Sequence, residues 1–443
     1  MKFNKAKALL AVIFTISVFG RAASALILGD QVLDFPGIFD QISYHTLAVR
    51  LLTGYGFTFG QTWWPITAAG QPTAHWSYLY TFYLAAVYGV FGIHPLAARL
   101  IQAVITGILT PWLIYRLSGR VFQNLLSAQS AQALGLIAAF WSAVYGYFAY
   151  YGGALMTEPF YIVGLLWIMD TTLRIGEQRS WRWFQFLELG AAIALTALLR
   201  QVFLLFIPFL FLWLLWRRLG TEKFWEAVGQ VVKGGAIVVC VCVILFGPIT
   251  AFNYQRFGRF VLLNTNDGYA FFWANHPIYG DHFEPILESR HGVSYQELIP
   301  QELRGLNEAA LNQALLQRGI GFVLDDPGRY IRLSISRIPV FFEFWPSSDS
   351  GTLSNIVRVA SFGLALPFML MGLGLWMRDG YRFSRMEITR SPGAFVLLFM
   401  LIYSAIHILS WALIRYRLPV DAFGLIFASR GILLLTARFQ PRS

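Results

Sequence analysis

Ionisable side chains stand at the ends of apolar runs in this sequence, where charge is costly to keep and therefore indicates function. Asp40 follows the first long apolar run, Glu158 opens a later one, and Arg200 lies between two runs. An arginine fork binds phosphate well, and a carboxylate can take a proton from a hydroxyl or an amine. If the fold brings these groups to one face, they are suited to group transfer from a phosphate-linked donor.

Three more arginines also lie at the ends of apolar runs. Arg256 lies in FNYQRF at the end of an apolar run, and Arg415 and Arg417 lie in IRYRLP between the last two runs. The alternative for any one of them is simple anchoring, with the guanidinium extended to lipid phosphates. Several acids and arginines at one face, widely separated in sequence, favour a shared cavity.

Asp40 begins a short amphipathic segment, DQISYHTLAVRLL. On a helix Asp40 and Tyr44 share a face, so a carboxylate and a phenol would line one wall. The helix N-terminus favours the ionised carboxylate, which a general base requires. The alternative is that Asp40 only caps the helix, although Asp34 is also available for that role.

The composition predicts a polytopic membrane protein. Of 443 residues, 57% are hydrophobic and 13% charged, against about 25% charged in soluble domains. The mean hydropathy is +0.56. The net charge of +11 is explained by basic residues in cytoplasmic loops that contact anionic lipids, and it does not indicate nucleic-acid binding. Cys240 and Cys242 are expected to be packing residues, since two sulfurs two positions apart suit neither a disulfide nor a zinc site.

Ten apolar runs are candidate membrane spans, several of them shorter than the roughly 20 residues that a bilayer core requires. They are about 8–28, 96–115, 131–150, 158–173, 185–199, 202–216, 234–252, 354–376, 393–413 and 418–436. The run 77–91 is rich in Tyr and Trp, which favour the head-group level, and we predict that it lies in the interface. All the lysines then fall on one side, which the positive-inside rule makes cytoplasmic.

This topology predicts a plasma (inner) membrane protein with both termini in the cytoplasm. It has an N-terminal module, 1–252, with an outer loop at 29–95, an outer subdomain at 253–353, and C-terminal spans at 354–443. The outer segments face the periplasm or the cell exterior. The chain has no P-loop and no GxGxxG in a βαβ context, so a nucleotide site is not indicated.

The sequence resembles GT-C type glycosyltransferases that use polyprenyl-phosphate sugars. The nearest branch is glycosyltransferase family 39, the protein O-mannosyltransferases, with the related lipid A aminoarabinose transferases. The resemblance runs nearly end to end. Its segments are DQISYHTLAVRLLTGYGF, GQPTAHWSYLYTFYLAAVYGVFGIHPLAARLIQAV, LMTEPF, LLRQVFLLFIP, GPITAFNYQRFGRFVLLNT, FFWANHP and RYRLPVDAF.

The resemblance implies a fold and a set of site residues. The fold is an all-α GT-C bundle of about ten transmembrane helices, with juxtamembrane helices in the first outer loop and a small outer subdomain. Asp40 is the implied catalytic base and Glu158 the second acid. The implied donor-phosphate and substrate residues are Tyr44, His75, Tyr78, Arg99, Arg200, Arg256, Asn275, Arg415 and Arg417.

Two positions depart from the family pattern. Many relatives have Asp-Glu where this chain has Asp40-Gln41, so the second carboxylate is missing there. Relatives often have Arg/Lys-Pro-Pro where this chain has Ala74-His75-Trp76. His75 either replaces that basic contact or caps the interfacial segment.

The expected function is transfer of a sugar from a polyprenyl-phosphate donor to a lipid, glycan or protein acceptor on the outer face. Membrane lipids are the other expected partners. No cofactor is firmly implied. Asp40 and Glu158 could share a divalent cation, but no ligand spacing demands one, and no metal ligands are assigned. The alternatives are a transporter or flippase of lipid-linked sugars and an O-antigen polymerase or ligase.

Overall fold

A computed structural model describes residues 2–35, 37–285, 287, 292–347, 350–381 and 384–438. Within these ranges the chain forms helices and loops, with two isolated β-bridges and no strand, which confirms the predicted all-α class. The α-helices are α1 (Lys2–Leu28), α2 (Asp40–Leu52), α3 (Tyr78–Phe91), α4 (Pro95–Phe122), α5 (Ala128–Val144), α6 (Gly146–Gly153), α7 (Glu158–Glu177), α8 (Trp183–Leu199), α9 (Ile207–Arg218), α10 (Phe224–Phe257), α11 (Asp267–Ala274), α12 (Glu308–Asp325), α13 (Pro327–Phe341), α14 (Thr352–Arg358), α15 (Leu364–Gly380), α16 (Arg385–Thr389), α17 (Pro392–Leu409) and α18 (Ile414–Arg438).

Seven helical segments in the described ranges are long and apolar enough to cross a membrane. They are Lys5–Leu28, Pro95–Phe122, Gln201–Arg218, Phe224–Phe257, Thr352–Gly380, Pro392–Leu409 and Ile414–Leu435. Helices α5 and α6 would form an eighth span that is bent by 52°. Each of these spans matches an apolar run predicted from the sequence, and the chain is a membrane protein.

Two of the ten predicted spans, 158–173 and 185–199, are not among these segments. They correspond to α7 and α8. Helix α8 has 17 residues, fewer than the roughly 20 that cross a bilayer core. Helix α7 has 20 residues but includes four charged ones, among them Asp170, which is paired with Arg120 at 3.0 Å. Both helices bury most of their residues, so they are interior members of the bundle.

Helix α3 corresponds to the run 77–91, which the sequence predicted to lie in the interface and not to span the membrane. It has 14 residues, which is too short to span, and the hydroxyl of Ser77 caps it by accepting the Tyr80 amide at 3.2 Å. The Ser77 hydroxyl also donates to the Leu198 carbonyl at 2.8 Å. Helix α3 is thus attached to the end of α8 and lies along one end of the bundle.

The first helix packs closely against α6, because small residues let the two backbones approach. A Cβ added at Gly153 would lie 2.5 Å from the backbone nitrogen of Ala25. Close approach through glycine and alanine is the usual means by which helices associate in lipid. This contact fixes the end of α1, after which the chain leads to Asp40.

A buried carboxylate, Glu308, at the start of α12 joins three segments of the chain. It accepts hydrogen bonds from the hydroxyls of Thr67 at 2.7 Å and Thr265 at 2.6 Å, and from the amide of Ala74 at 2.6 Å. These donors come from two separate loops. Glu308 therefore holds α12 against the loop that connects α2 to α3.

Candidate active site

Four separate parts of the chain meet at the end of the bundle where α1 finishes. They contribute Asp40 at the start of α2, Glu158 at the start of α7, Arg200 after α8, and Arg415 in the first turn of α18. Asp40 and Glu158 lie where the helix dipole favours negative charge. Pro159, in the first turn of α7, has the fixed φ that suits the start of a helix.

Arg415 is the central residue of the cluster. Its Nη1 donates to Asp40 Oδ2 at 2.8 Å, and its Nε lies 3.8 Å from Glu158 Oε1. The Glu158 side chain is 2% exposed, whereas those of Asp40 and Arg415 are 19% and 15% exposed. The cluster is therefore enclosed on the Glu158 side and accessible on the Asp40 side.

Arg200 completes the cluster and contacts the same Glu158 oxygen, Oε1, as Arg415 does. It donates to Glu158 through Nη2 and to the Thr157 hydroxyl through Nε at 3.0 Å. The ring of Tyr416 faces both arginines, with its centroid 5.2 Å from the Arg200 guanidinium carbon and 5.3 Å from that of Arg415. Asp40, Arg415, Glu158 and Arg200 thus form a continuous series of alternating charges, and both arginines contact one aromatic ring.

Tyr44 lies one turn after Asp40, on the helix face that the sequence predicted for both. Its ring packs edge-on against Trp76 at 5.5 Å and Tyr80 at 5.0 Å. Burial, with the charge of Asp40 as the second cause, raises the pKa of the Tyr44 hydroxyl above its usual value. Tyr44 is therefore neutral at physiological pH.

Asp40 is not the capping residue of α2. The N-cap is Phe39, which makes no side-chain capping bond, and the Asp40 carboxylate faces Arg415. Gln41, the residue after Asp40, is buried. Its amide donates to the Leu33 carbonyl at 2.6 Å and its carbonyl accepts from Arg99 at 2.9 Å. Gln41 therefore positions the loop before α2.

His75 lies in the loop before α3, with its ring 5.2 Å from that of Trp76 and 5.5 Å from that of Tyr269. Burial lowers the pKa of His75, while the charges of Glu308 and Asp40 act in the opposite direction. Its Nδ1 is buried without a hydrogen-bond partner among the described residues. A neutral imidazole does not supply a fixed positive charge.

Other residues expected at the site lie in separate clusters. The Tyr78 hydroxyl donates to the Asn253 side chain and accepts from Arg256, which also donates to Asn253 at 3.0 Å. This cluster joins α3 to the end of α10. Arg99 is occupied by the Gly29 carbonyl and the Gln41 side chain.

Asn275 and Arg417 have partners of their own. The Asn275 side-chain carbonyl accepts from Arg337 at 3.0 Å. Arg417 is fully buried, is paired with Asp421 at 2.9 Å, and donates to the carbonyls of Phe341 and Glu343. It joins α18 to the end of α13 and has no recorded contact with Asp40 or Glu158.

Two contributors to the cluster were missed in the sequence, namely Thr157 and Tyr416. Tyr416 stands between Arg415 and Arg417, and an aromatic residue flanked by arginines is a pattern that could have indicated stacking. The His407 ring stacks on the Tyr416 ring at a centroid distance of 4.8 Å. In the described part of the chain, no three His, Cys, Asp or Glu side chains gather as metal ligands would.

Solved structures share this architecture. The oligosaccharyltransferase of Archaeoglobus fulgidus in its apo form aligns with a TM-score of 0.60 and 15% sequence identity, over 98% of this chain and 51% of that chain. Its complex (AglB) with an inhibitory peptide and a dolichol-phosphate aligns with a TM-score of 0.58 and 17% identity, over 99% and 51%. The chain spans about half the length of these oligosaccharyltransferase chains.

ArnT from Cupriavidus metallidurans, bound to undecaprenyl phosphate, gives a TM-score of 0.42 and 12% identity over 98% of this chain and 78% of that chain. No protein-family model matches the chain, and no curated protein matches it. The oligosaccharyltransferase alignments establish the fold as that of a GT-C membrane bundle, which confirms the predicted fold. Membership of glycosyltransferase family 39 stays a prediction.

Proposed function

We propose that this protein is a membrane glycosyltransferase that moves a sugar from a polyprenyl-phosphate donor to an acceptor at the Asp40 end of the bundle. The observation that carries the proposal is the bridge formed by Arg415 between Asp40 and Glu158. A guanidinium fork that can bind an anion and a partly exposed carboxylate stand side by side, which is what phosphate departure and proton removal together require.

Asp40 would act as the general base. The acceptor's nucleophilic atom attacks the anomeric carbon of the donor sugar and gives its proton to the Asp40 carboxylate. The bond between the anomeric carbon and the phosphate oxygen breaks, and the electron pair leaves with the polyprenyl phosphate. Asp40 fits this role because its side chain is reachable from solvent while its position is fixed by Arg415.

Arg200 and Arg415 would bind the donor phosphate. Both guanidinium groups face one ring, that of Tyr416, so their positive charges are held near each other despite their mutual repulsion. Glu158 compensates this repulsion because it contacts both. A phosphate that binds Arg415 competes with Asp40 for the same guanidinium, which would release Asp40 to act as the base once the donor is in place.

A transporter of lipid-linked sugars is the principal alternative. Transporters hold their substrate near the bilayer midplane, at interrupted helices in repeated halves. Here the acids and arginines meet where helices α2, α7 and α18 begin, at one end of the bundle. This placement favours an enzyme that works at one membrane face.

The test compares Asp40→Asn with Asp34→Asn, the same change at an exposed acid in the loop before α2. Each purified variant in proteoliposomes is given a radiolabelled polyprenyl-phosphate hexose, and release of polyprenyl phosphate is measured. We expect Asp40→Asn to lower turnover by about 10²–10⁴-fold, the usual contribution of a general base. Asp34→Asn should keep wild-type turnover. Wild-type turnover in Asp40→Asn would refute the role of Asp40.

A further inference from the structure

A surface cleft lies beside the first turn of α2. Its volume is about 370 Å³, within the range of roughly 300–1,000 Å³ typical of small-ligand pockets. Phe39, Trp63 and Trp64 supply aromatic lining, and Thr62 and Gln296 supply polar lining. Phe39 immediately precedes Asp40 in the chain, so one wall of the cleft adjoins the proposed base.

The aromatic wall is held in place by contacts among its own rings and with residues outside the cleft. The Trp63 indole donates to the Ser43 hydroxyl at 2.8 Å, and its ring stacks with that of Phe39 at 6.2 Å. The Trp64 ring packs on that of Trp273 at 4.9 Å. A rigid aromatic wall gives contact area without an ordering cost when a ligand binds.

The polar lining has unused hydrogen-bonding capacity. The side chains of Thr62 and Gln296 have no recorded hydrogen bond within the described ranges, and Thr62 is exposed. Together they offer a hydroxyl and an amide, which can donate to and accept from ligand hydroxyls. The Phe39 ring remains 38% exposed, which leaves apolar surface for the carbon face of a ligand.

This combination matches a sugar ring. A pyranose presents C–H groups on its faces and hydroxyls around its edge, so aromatic side chains and adjacent hydrogen-bonding groups can serve it together. An acyl chain would leave Thr62 and Gln296 without partners, which is unfavourable where contact with water is lost. The loop that carries Trp63 is also bound to α12, because Thr67 donates to Glu308.

Building on the function proposed above, we propose that this cleft is the acceptor subsite and that the acceptor is a glycan, whose terminal sugar binds between Phe39, Thr62 and Gln296. A hydroxyl of that sugar would then be presented towards Asp40. The transfer step remains the one written above, with a sugar oxygen as the nucleophile. The product would be a glycan extended by one sugar.

The test measures sugar binding without any donor. Wild-type protein in lipid nanodiscs is examined by saturation-transfer NMR with methyl hexopyranosides, and separately with a short serine- and threonine-containing peptide. We expect saturation of the sugar ring protons and none of the peptide. Thr62→Ala with Gln296→Ala should weaken sugar binding by about tenfold, since each lost hydrogen bond costs a few-fold. Gln71→Ala, at an exposed site outside the cleft, should bind as wild type.

Several results would overturn the glycan acceptor subsite. These are absence of sugar contact in wild-type protein, unchanged binding in the double variant, or saturation of the peptide in place of the sugar. Release of polyprenyl phosphate by the wild-type preparation is assayed in parallel. Sugar binding without any donor turnover would refute the proposed function but keep the cleft as a sugar site. Donor turnover without sugar binding would refute the cleft as a sugar site but keep the proposed function.

Discussion

Arg415 illustrates how one side chain can combine two tasks at this site. Its guanidinium reaches two carboxylates in different directions, Asp40 through Nη1 and Glu158 through Nε. A lysine ammonium lacks this planar fork and could not serve both groups in the same way. The arginine thus fixes the carboxylate that we propose as the base and holds a positive charge beside it.

Glu158 is predicted to be needed for the stability of the cluster as well as for turnover. Glu158→Gln leaves Arg200 without its carboxylate partner and Arg415 with Asp40 alone, in a largely buried site. Breaking a buried pair in this way costs about 3 kcal/mol. We expect a lower melting temperature in detergent and reduced sugar transfer.

The matched control is Glu302→Gln. Glu302 pairs with Arg318 at 3.1 Å, but the two side chains are 63% and 54% exposed. An exposed pair contributes at most about 1 kcal/mol, so this variant should melt close to the wild type. Equal melting temperatures for the Glu158 and Glu302 variants would contradict the proposed compensation.

The sequence identified the four charged residues of the cluster but did not separate them from other arginines. Arg415 and Arg417 are two positions apart, so their side chains must diverge on a helix. The sequence alone does not show which of them faces Asp40. That depends on the rotation of α18, which is fixed by distant contacts such as the donation from Arg417 to the Phe341 carbonyl.

Among the elements, the contact of α6 with α1 offers a direct test of the packing that leads to Asp40. In Gly153→Ala the new methyl group would meet the α1 backbone at 2.5 Å from the nitrogen of Ala25. Overpacking of this kind typically costs about 1–3 kcal/mol. We predict a lower melting temperature for Gly153→Ala, measured by thermal unfolding in detergent.

Gly119→Ala is the control for this substitution. Gly119 lies in α4, where an added Cβ would meet nothing within 4 Å. Alanine is favoured over glycine inside a helix by up to about 1 kcal/mol, so this variant should melt at or above the wild-type temperature. A Gly153→Ala variant as stable as Gly119→Ala would show that α1 and α6 can separate without cost.

The helices were largely predictable from hydropathy, since every predicted span corresponds to helical structure. Which of these helices span the membrane was less predictable. Helices α7 and α8 were predicted to span, yet α8 is short and α7 carries Asp170, which pairs with Arg116 at 3.0 Å and with Arg120. The composition of a segment does not show whether a neighbouring helix supplies an oppositely charged partner for its charged residue.

For the whole molecule, the two ends of the bundle carry different kinds of charge pairing. The Asp40 end holds the compact cluster around Tyr416. The opposite end holds Asp170 with Arg116 and Arg120, and Arg217, which donates to the Gly176 and Arg390 carbonyls. Arginines at this second end belong to the segments that the charge rule places in the cytoplasm.

The side of the membrane that each end faces is therefore a prediction that labelling can test. After Cys240→Ser and Cys242→Ser, single cysteines are introduced by Gln301→Cys in the predicted outer segment and by Thr221→Cys between α9 and α10. Both positions are exposed. In intact spheroplasts, a membrane-impermeant maleimide should label Gln301→Cys and spare Thr221→Cys, which should react only after lysis. The reverse pattern would place Asp40 at the cytoplasmic face and would require a donor whose sugar is presented there.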